Sequence, residues 1–462
     1  VWLREKLFMK DMLIRKLRNI DPEFDAKKIL FGEHHFSHAA SAFYPSPFQE
    51  AVVLTIDGVG EWATTTVAVG KGSSLEIKKE IHFPHSLGML YSAFTYYIGF
   101  RVNSGEYKVM GLAPYGQPKY FDLILDNLID LKEDGSFRLN QSYFEYATGF
   151  KMTNRRFSNL FGQPVRKPES EQLTQFHMDI AASIQAVTEE VVLRMTRSLA
   201  KEYGIPNLCM AGGVALNCVA NGKISRDHAF NKLWIQPAAG DAGGSLGAAL
   251  AVWHQELKKP RMADPADSMK GSYLGPEYSQ EFIENEFIKL GAKFITVTED
   301  EMLDYTADAI SQEKAIGWFQ GRMEFGPRAL GGRSILGDPR SGTMQKILNL
   351  KVKYRESFRP FAPSVLREDV YEWFEIDEDS PYMLLVDSVK LEKCRQMGQM
   401  EEGLFGIDKL NVNRSDIPAV THVDYSARIQ TVHSQTNPKY HALISRFKEK
   451  TNCPVVVNTS FN

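Results

Sequence analysis

At 462 residues the chain is too long for one ordinary hydrophobic core and is expected to divide into two or three domains, each burying its own apolar surface. With 54 Lys plus Arg against 57 Asp plus Glu, a net charge of -3, it has no general attraction for nucleic acid or an anionic membrane, so any anion site must be local. The four cysteines, at 209, 218, 394 and 453, form no Cys-x-x-Cys pair, which argues against a zinc ribbon or a disulfide framework and fits a reducing cytoplasm.

Residues 1 to 30 read as a basic amphipathic helix ending near Asp21 and Pro22. No apolar run reaches the roughly 18 residues of a membrane helix, and the first residues mix charge throughout instead of forming a signal core. They enter mid-helix without a capping residue, and the last residues, PVVVNTSFN, are a β-rich run that stops without a turn. Further segments are therefore expected beyond both ends.

Glu33-His34-His35-Phe36-Ser37-His38 follows a short apolar pair at Ile29 and Leu30. On a helix His34 and His38 stand one turn apart on one face, the spacing at which two imidazoles share a metal ion. This is not the His-Glu-x-x-His of zinc proteases, so further ligands must come from elsewhere. Asp57, ending the strand VVLTID, and Asp241, at a strand-to-helix turn in PAAGDAGGS, are the candidates, because strand ends in α/β sheets converge on the ligand crevice. Such a set suits Fe(II), Mn(II) or Zn(II). The alternative is that the histidines cap a helix or satisfy buried carbonyls.

AVVLTIDG, TTTVAVG and LEIKKEIHF are three successive β-rich runs and predict an antiparallel meander. In 179 to 203 the residues Ile180, Ile184, Val187, Val191, Met195 and Leu199 share one face, and Gly204 stops the helix. PNLCMAGGVALNCVANGKI and KLWIQPAAGDAGGSLGAALAVW each read as strand, glycine turn and helix, so the region from 30 to about 255 is α/β. Gly58 after Asp57, and Gly212-Gly213 after the second run, let backbone N-H groups approach a phosphate at a helix N-terminus; the plain reading is a tight turn. Two acidic strand-end turns with a Gly-Gly turn resemble the actin-like ATPase superfamily, and no P-loop occurs.

The polar stretch around 256 to 275 places a domain boundary near 260 to 285. Beyond it, AIGWFQG, SVL, YMLLV, ARIQTV and PVVVNTS are strands of a second α/β unit. Between 322 and 359 lie Arg322, Arg328, Arg333, Arg340, Lys351, Lys353, Arg355 and Arg359, interleaved with Gly and Pro, which implies a local anion site and not a solvated face. A nucleic-acid groove would use Phe325, Tyr354, Phe358 and Phe361 as stacking platforms, but the overall charge favours a small phosphate ligand.

The strings EHHFSHAASAFYPSPF, LTIDGVGEW, HSLGMLYSAFTYYIGF, NSGEYKVMGLAPYG, MAGGVALN, FGPRALGGRSIL, RPFAPSV, PAVTHVDYSARIQTV and VVVNTSFN run in order from 33 to 462. Together they resemble the ATP-dependent O-carbamoyltransferase family of the nodulation-protein-U and cephamycin type. The resemblance implies an α/β chain with an actin-like, ribonuclease-H-like transfer domain over 1–270. A second domain over 280–462 would be similar to threonylcarbamoyl-adenylate synthase. It further implies that carbamoyl phosphate and ATP give carbamoyl adenylate, whose carbamoyl group passes to a hydroxyl of a small molecule such as a natural product or sugar. By motif, His34, His38, Asp57 and Asp241 are the metal set, holding a divalent ion, Fe(II) foremost, with Mg(II), Mn(II) or Zn(II) as alternatives. Gly58, Gly212, Gly213 and Asn217 are the nucleotide loops, and Arg328, Lys353, Arg359, Arg428 and Ser460 the carbamoyl-phosphate and adenylate pocket. His34, His38, Asp57, Arg328, Lys353 and Arg359 are the catalytic candidates.

A cytoplasmic monomer or homodimer without nucleic-acid or membrane partners is expected. Two rivals stand beside it: tRNA threonylcarbamoyl transfer, and a non-catalytic actin-like nucleotide sensor.

Overall fold

The computed structural model describes residues 7–398, 401, 404 and 406–461. β1 (Glu50–Ile56) is buried from Ala51 to Ile56, because it lies mid-sheet with both faces covered. It pairs antiparallel with β2 (Ala63–Lys71), which pairs antiparallel with β3 (Ser74–His82), the meander that the three β-rich runs predict. β4 (Ile129–Leu131) and β5 (Phe137–Leu139) form a separate hairpin. β6 (Asn207–Ala211) and β7 (Lys232–Ile235) add parallel strands on the other side of β1, giving the order β3-β2-β1-β6-β7. Parallel pairing needs crossovers, and the helix Cys218–Asp227 provides the one between β6 and β7. The parallel strands β1, β6 and β7 therefore end on the same side, which brings the loops carrying Asp57, Gly212–Asn217 and Asp241 together.

The long helix spans Gln175–Tyr203 and ends at Gly204 in the left-handed region, as expected. It starts four residues before the predicted 179, because Thr174 and His177 form a capping box that closes its first turn. The basic helix predicted for 1 to 30 stops earlier: among the described residues of that stretch only Met9–Arg18 is α-helical, and none of it is buried. Residues 1–6 lie outside the described residues. A chain with no packed face has little to extend it, and Asp25 instead caps a short 3-10 turn at Ala26–Lys28.

The second sheet is mixed and six-stranded. Its strands are β8 (Ile316–Phe319), β9 (Arg333–Gly337), β10 (Ala362–Leu366), β11 (Leu385–Ser388), β12 (Ser426–Val432) and β13 (Val455–Thr459), in the order β11-β12-β10-β13-β9-β8. Only β10 and β12 run parallel. β9 is absent from the sequence reading, since it lies within the arginine- and glycine-rich stretch taken as loop. The two sheets meet where helix Cys218–Asp227 packs on β11. A Cβ on Gly222 would run into the Val386 carbonyl, Asn221 Nδ2 donates to Leu384 O at 3.0 Å, and Arg226 pairs with Asp387 at 2.8 Å.

The helices His34–Phe43 and Asp241–Ala251 pack so closely that a Cβ on Gly247 would run into the Ser37 carbonyl and lie 3.0 Å from Ser41 N. Gly247→Ala should therefore push apart two helices that carry three of the four candidate ligands. The expected cost is about 1–3 kcal/mol, typical of overpacking. Thermal unfolding and retention of added metal should both show it, and an unaltered melting curve would contradict this packing.

Candidate active site

Helix His34–Phe43 presents His34 and His38 on one face, as their spacing predicts. Their Nε2 atoms lie 3.0 Å apart. Asp57 Oδ2 is 2.8 Å from His34 Nε2 and 3.3 Å from His38 Nε2. Asp241 Oδ1 stands 3.6 and 3.7 Å from the same two nitrogens. One donor atom from each of the four residues falls within 4.8 Å of the others. Two imidazole nitrogens turned toward each other and toward two carboxylates need a proton or a cation between them, and two nitrogens plus two oxygens is a chemically ordinary set for a divalent ion. His35, the third histidine of the motif, is not part of the set. Its Nδ1 bonds Thr55 Oγ1 at 2.7 Å, and burial, with His38 adding repulsion, pushes it down to about 4.

The sequence positions this cluster from behind. Gly213 N donates to Asp57 Oδ1 at 3.0 Å, and Ser86 Oγ bonds the carbonyls of Gly58 at 2.6 Å and Asp57 at 3.1 Å while capping helix Leu87–Tyr97. Glu61 accepts from His34 N at 3.0 Å. Gly212 has a φ of +92°, and a side chain there would strike the Ile56 carbonyl, so the Asp57 strand end and this turn approach through glycine alone.

Burial alone pushes the His38 imidazole down, but the neighbouring Asp241 and Asp57 carboxylates outweigh it and raise it to about 9. Burial pushes Asp57 up, yet His34 and His38 hold it far below the usual carboxylate range. The signs follow directly. The raised His38 stabilises the ion-free fold fully below pH 6.5, and that contribution disappears as pH rises through about 9; the depressed Asp57 contributes above the ordinary carboxylate range. A metal must displace the His38 proton. Metal affinity should thus climb roughly tenfold per pH unit up to about 9 and then level off. Calorimetric titrations across that range test this, and a pH-independent affinity would refute it.

The second feature is a cavity of about 420 Å³. Its wall carries Arg328, Lys353, Arg355, Arg359, Arg414 and Arg428 against one acid, Asp424. Tyr107 and Tyr115 line one side and Asn458 and Ser460 another, while Cys218 and Val219 bring in the N-terminal end of helix Cys218–Asp227. Burial, with Arg428 adding repulsion, lowers Arg328 to about 9. Burial and the neighbouring Arg355 and Arg359 lower Lys353 to about 8. Arg414 is 4% exposed, and its Nε and Nη2 have no hydrogen-bond partner among the described residues. Crowded, desolvated cations of this kind are stabilised by an anion.

The loop between β6 and that helix touches both features: Gly213 holds Asp57, and three residues on, Leu216 O accepts from Arg328 Nη2 at 3.3 Å.

Residues 1–250 match the family described as "Carbamoyltransferase N-terminus", and residues 307–462 match "Carbamoyltransferase C-terminus". The chain belongs to the carbamoyltransferase family. It is 60% identical to an uncharacterized protein of Synechocystis, an alignment covering 100% of this chain and 75% of that one. It is 38% identical to nodulation protein NolNO of Sinorhizobium fredii, over 100% of this chain and 62% of the relative. To the 3'-hydroxymethylcephem-O-carbamoyltransferase of Amycolatopsis lactamdurans it is 28% identical, over 77% of this chain and 58% of the other.

Within this carbamoyltransferase chain, Arg328, Lys353, Arg359, Arg428 and Ser460 all lie on the one cavity, although more than 100 positions separate the first from the last. The basic cluster does not act as one site, however. Arg333 is spent on the carbonyls of Gln320, Gly321 and Gly332. Arg340 is paired with Asp338 at 2.6 Å, Arg322 reaches Gly275 O at 3.3 Å, and Lys351 is exposed. These four hold loops or face water. Phe358 and Phe361 are each 2% exposed and cannot serve as stacking platforms.

Gly58 and Gly213 adjoin Asp57, whereas the Asn217 side chain is taken up in bonds with Gln185 and as the cap of helix Cys218–Asp227. Arg414, Ser86 and Glu61 are absent from the sequence reading. Arg414 lies outside every basic run, and the other two act only through contacts across the fold.

Proposed function

We propose that this chain makes carbamoyl adenylate from carbamoyl phosphate and ATP and transfers the carbamoyl group to a hydroxyl of a small molecule. The observation that carries the reading is the cavity in which Arg328, Lys353, Arg355, Arg359, Arg414 and Arg428 converge with a single acid. In this reading residues 1–270 are an actin-like transfer domain and 280–462 an adenylate-synthase-like domain.

Carbamoyl phosphate and one water give carbamate and phosphate. A carbamate oxygen then attacks the α-phosphorus of ATP, the bond to the β,γ-phosphates breaks, and pyrophosphate leaves. The guanidinium groups bind the phosphates and offset the charge that grows on their oxygens. Lys353, lowered to about 8 by burial and by Arg355 and Arg359, is held more firmly in its charged form when an anion enters. At the other feature Gly58 brings a backbone amide toward the phosphate of the adenylate, while the amides of Gly212 and Gly213, bonded to Ala239 O and Asp57 Oδ1, hold the turn and Asn217 keeps the helix end in place.

His34, His38, Asp57 and Asp241 would hold the divalent ion, Fe(II) foremost. When bound, it supplies a Lewis acid for a carbonyl or phosphoryl oxygen. Asp57 is fixed by Gly213 and by Ser86 through its backbone, so the donors are aimed before any ligand arrives. Pyrophosphate release measured with both substrates and with each alone tests the reading. Release that needs both supports it; release from ATP alone, or none, sinks it.

A further inference from the structure

The cationic cavity is walled by both halves of the chain. Tyr107, Met110, Gly111 and Tyr115 reach it from helix Glu106–Leu112 and the 3-10 turn Ala113–Tyr115 that continues it. This helix is anchored on the first sheet's side. Val109 and Leu112 are fully buried, and the Glu106 carboxylate accepts from Asn103 N at 3.0 Å and from Ser92 Oγ, in helix Leu87–Tyr97, at 2.8 Å. Tyr107 and Lys108 therefore approach the loop that carries Lys353, Arg355 and Arg359 from a fixed support, and Tyr115 donates its hydroxyl to Phe358 O in that loop at 3.1 Å.

Lys108 and Glu356 stand behind the cavity wall. Lys108 Nζ donates to Glu356 Oε1 at 2.7 Å, while Oε2 of the same carboxylate lies 3.7 Å from Arg359 Nη1. Arg359 is on the wall, with its guanidinium 4.6 Å from the Tyr107 ring centroid. One carboxylate is thus shared unequally between a lysine and an arginine. A small side-chain rotation would convert the looser contact into a bidentate arginine–carboxylate pair, which occupies the same N–H groups that a phosphate needs. Arg355 is engaged elsewhere, donating to Asn349 Oδ1 at 2.7 Å and lying over the Phe361 ring at 4.6 Å, so Arg359 is the cation that a released carboxylate would meet. Burial pushes the Glu356 carboxyl up, yet Lys108 foremost, with its own backbone amide and Arg359 adding to it, holds it below the usual carboxylate range.

We propose that Lys108 is a positioning residue for the anion site: by holding the Glu356 carboxylate it keeps the Arg359 guanidinium available to a substrate phosphate. This rests on the reading of the cavity given above. The consequence is that the first half of the chain sets the charge state of a wall built mainly by the second. Two roles for the lysine can be told apart. A lysine that merely adds positive potential weakens anion binding when removed, whatever stands at 356. A lysine that acts through Glu356 becomes dispensable once that side chain is neutral.

The test compares wild type, Lys108→Met, Lys108→Arg, Glu356→Gln and the double variant Lys108→Met/Glu356→Gln, each as the full chain. Calorimetric binding of inorganic pyrophosphate is measured beside pyrophosphate release from ATP and carbamoyl phosphate, with melting curves as the folding control. Lys108→Met keeps the stem that runs past the Phe100 ring, 5.4 Å from Nζ, and removes only the ammonium. It should weaken pyrophosphate binding and raise the KM for carbamoyl phosphate by about tenfold, and Lys108→Arg should recover most of that loss. Glu356→Gln should bind pyrophosphate at least as tightly as wild type, and the double variant should stay within about twofold of Glu356→Gln. Unaltered affinity in Lys108→Met, or the same loss in both backgrounds, would overturn the proposal. A wild-type chain that binds no pyrophosphate would overturn it together with the cavity reading. The predicted binding pattern without any pyrophosphate release would instead strike the adenylate reading and leave the role of Lys108 standing.

Discussion

Replacing Arg359 by Ala should reduce pyrophosphate release from ATP and carbamoyl phosphate by about 10²–10³ in kcat/KM, roughly 3–4 kcal/mol of transition-state stabilisation. The side chain is 18% exposed, lies over the Tyr107 ring at 4.6 Å and lines the cavity, with Glu356 no closer than 3.7 Å. A weakly paired guanidinium in a partly desolvated wall interacts with a phosphate at full strength. Arg340 provides the comparison. It belongs to the same basic stretch of sequence, but it is bonded to Asp338 and is absent from the cavity wall. Arg340→Ala should leave pyrophosphate release within about twofold. Equal losses in the two variants would mean that the cavity is not the anion site.

His38→Ala should have the opposite profile. It removes a donor at the centre of a four-residue set, so metal affinity should fall by about 100-fold or more, since the remaining ligands cannot complete the geometry. Carbamoylation of the acceptor should then be lost while pyrophosphate release persists, because His38 is fully buried among the first sheet's helices and does not line the cationic cavity. The turn Gly213–Leu216 links the two features by way of Asp57 and Arg328, and His38 has no bond to that turn. Metal content and both half-reactions measured on one preparation decide the matter. Full metal content in the variant would refute the ligand assignment. Equal loss of both half-reactions would refute the division of labour.

What could be read from the sequence depended on how local each signal is. His34 and His38 were legible because one helical turn fixes their relation, and Asp57 and Asp241 because each ends or follows a strand whose direction sets where it points. The first sheet was legible for the same reason: alternation and turn residues encode β1–β3, and glycine turns encode the β6 and β7 units. The arginine stretch was only partly legible. Neighbouring arginines alternate between the cavity and the loop carbonyls, and nothing in their spacing distinguishes Arg328 from Arg333.

Arg414 sits alone in NVNRSDIP, and the cavity wall, assembled from segments distant in sequence, gives it a role. Ser86 looks like an ordinary helix cap. Only the fold brings its hydroxyl to the carbonyls of Asp57 and Gly58. The N-terminal helix was overextended for the reverse reason, since its amphipathic pattern continues beyond the point where any packing partner supports it.

The most direct test of the central claim is to incubate the protein with ATP and ¹³C-labelled carbamoyl phosphate without acceptor and follow the products by ³¹P and ¹³C NMR. The account predicts pyrophosphate and phosphate in equal amounts, together with a labelled mixed anhydride on AMP or its breakdown to AMP. ADP formation, or breakdown of carbamoyl phosphate with ATP left intact, would contradict it.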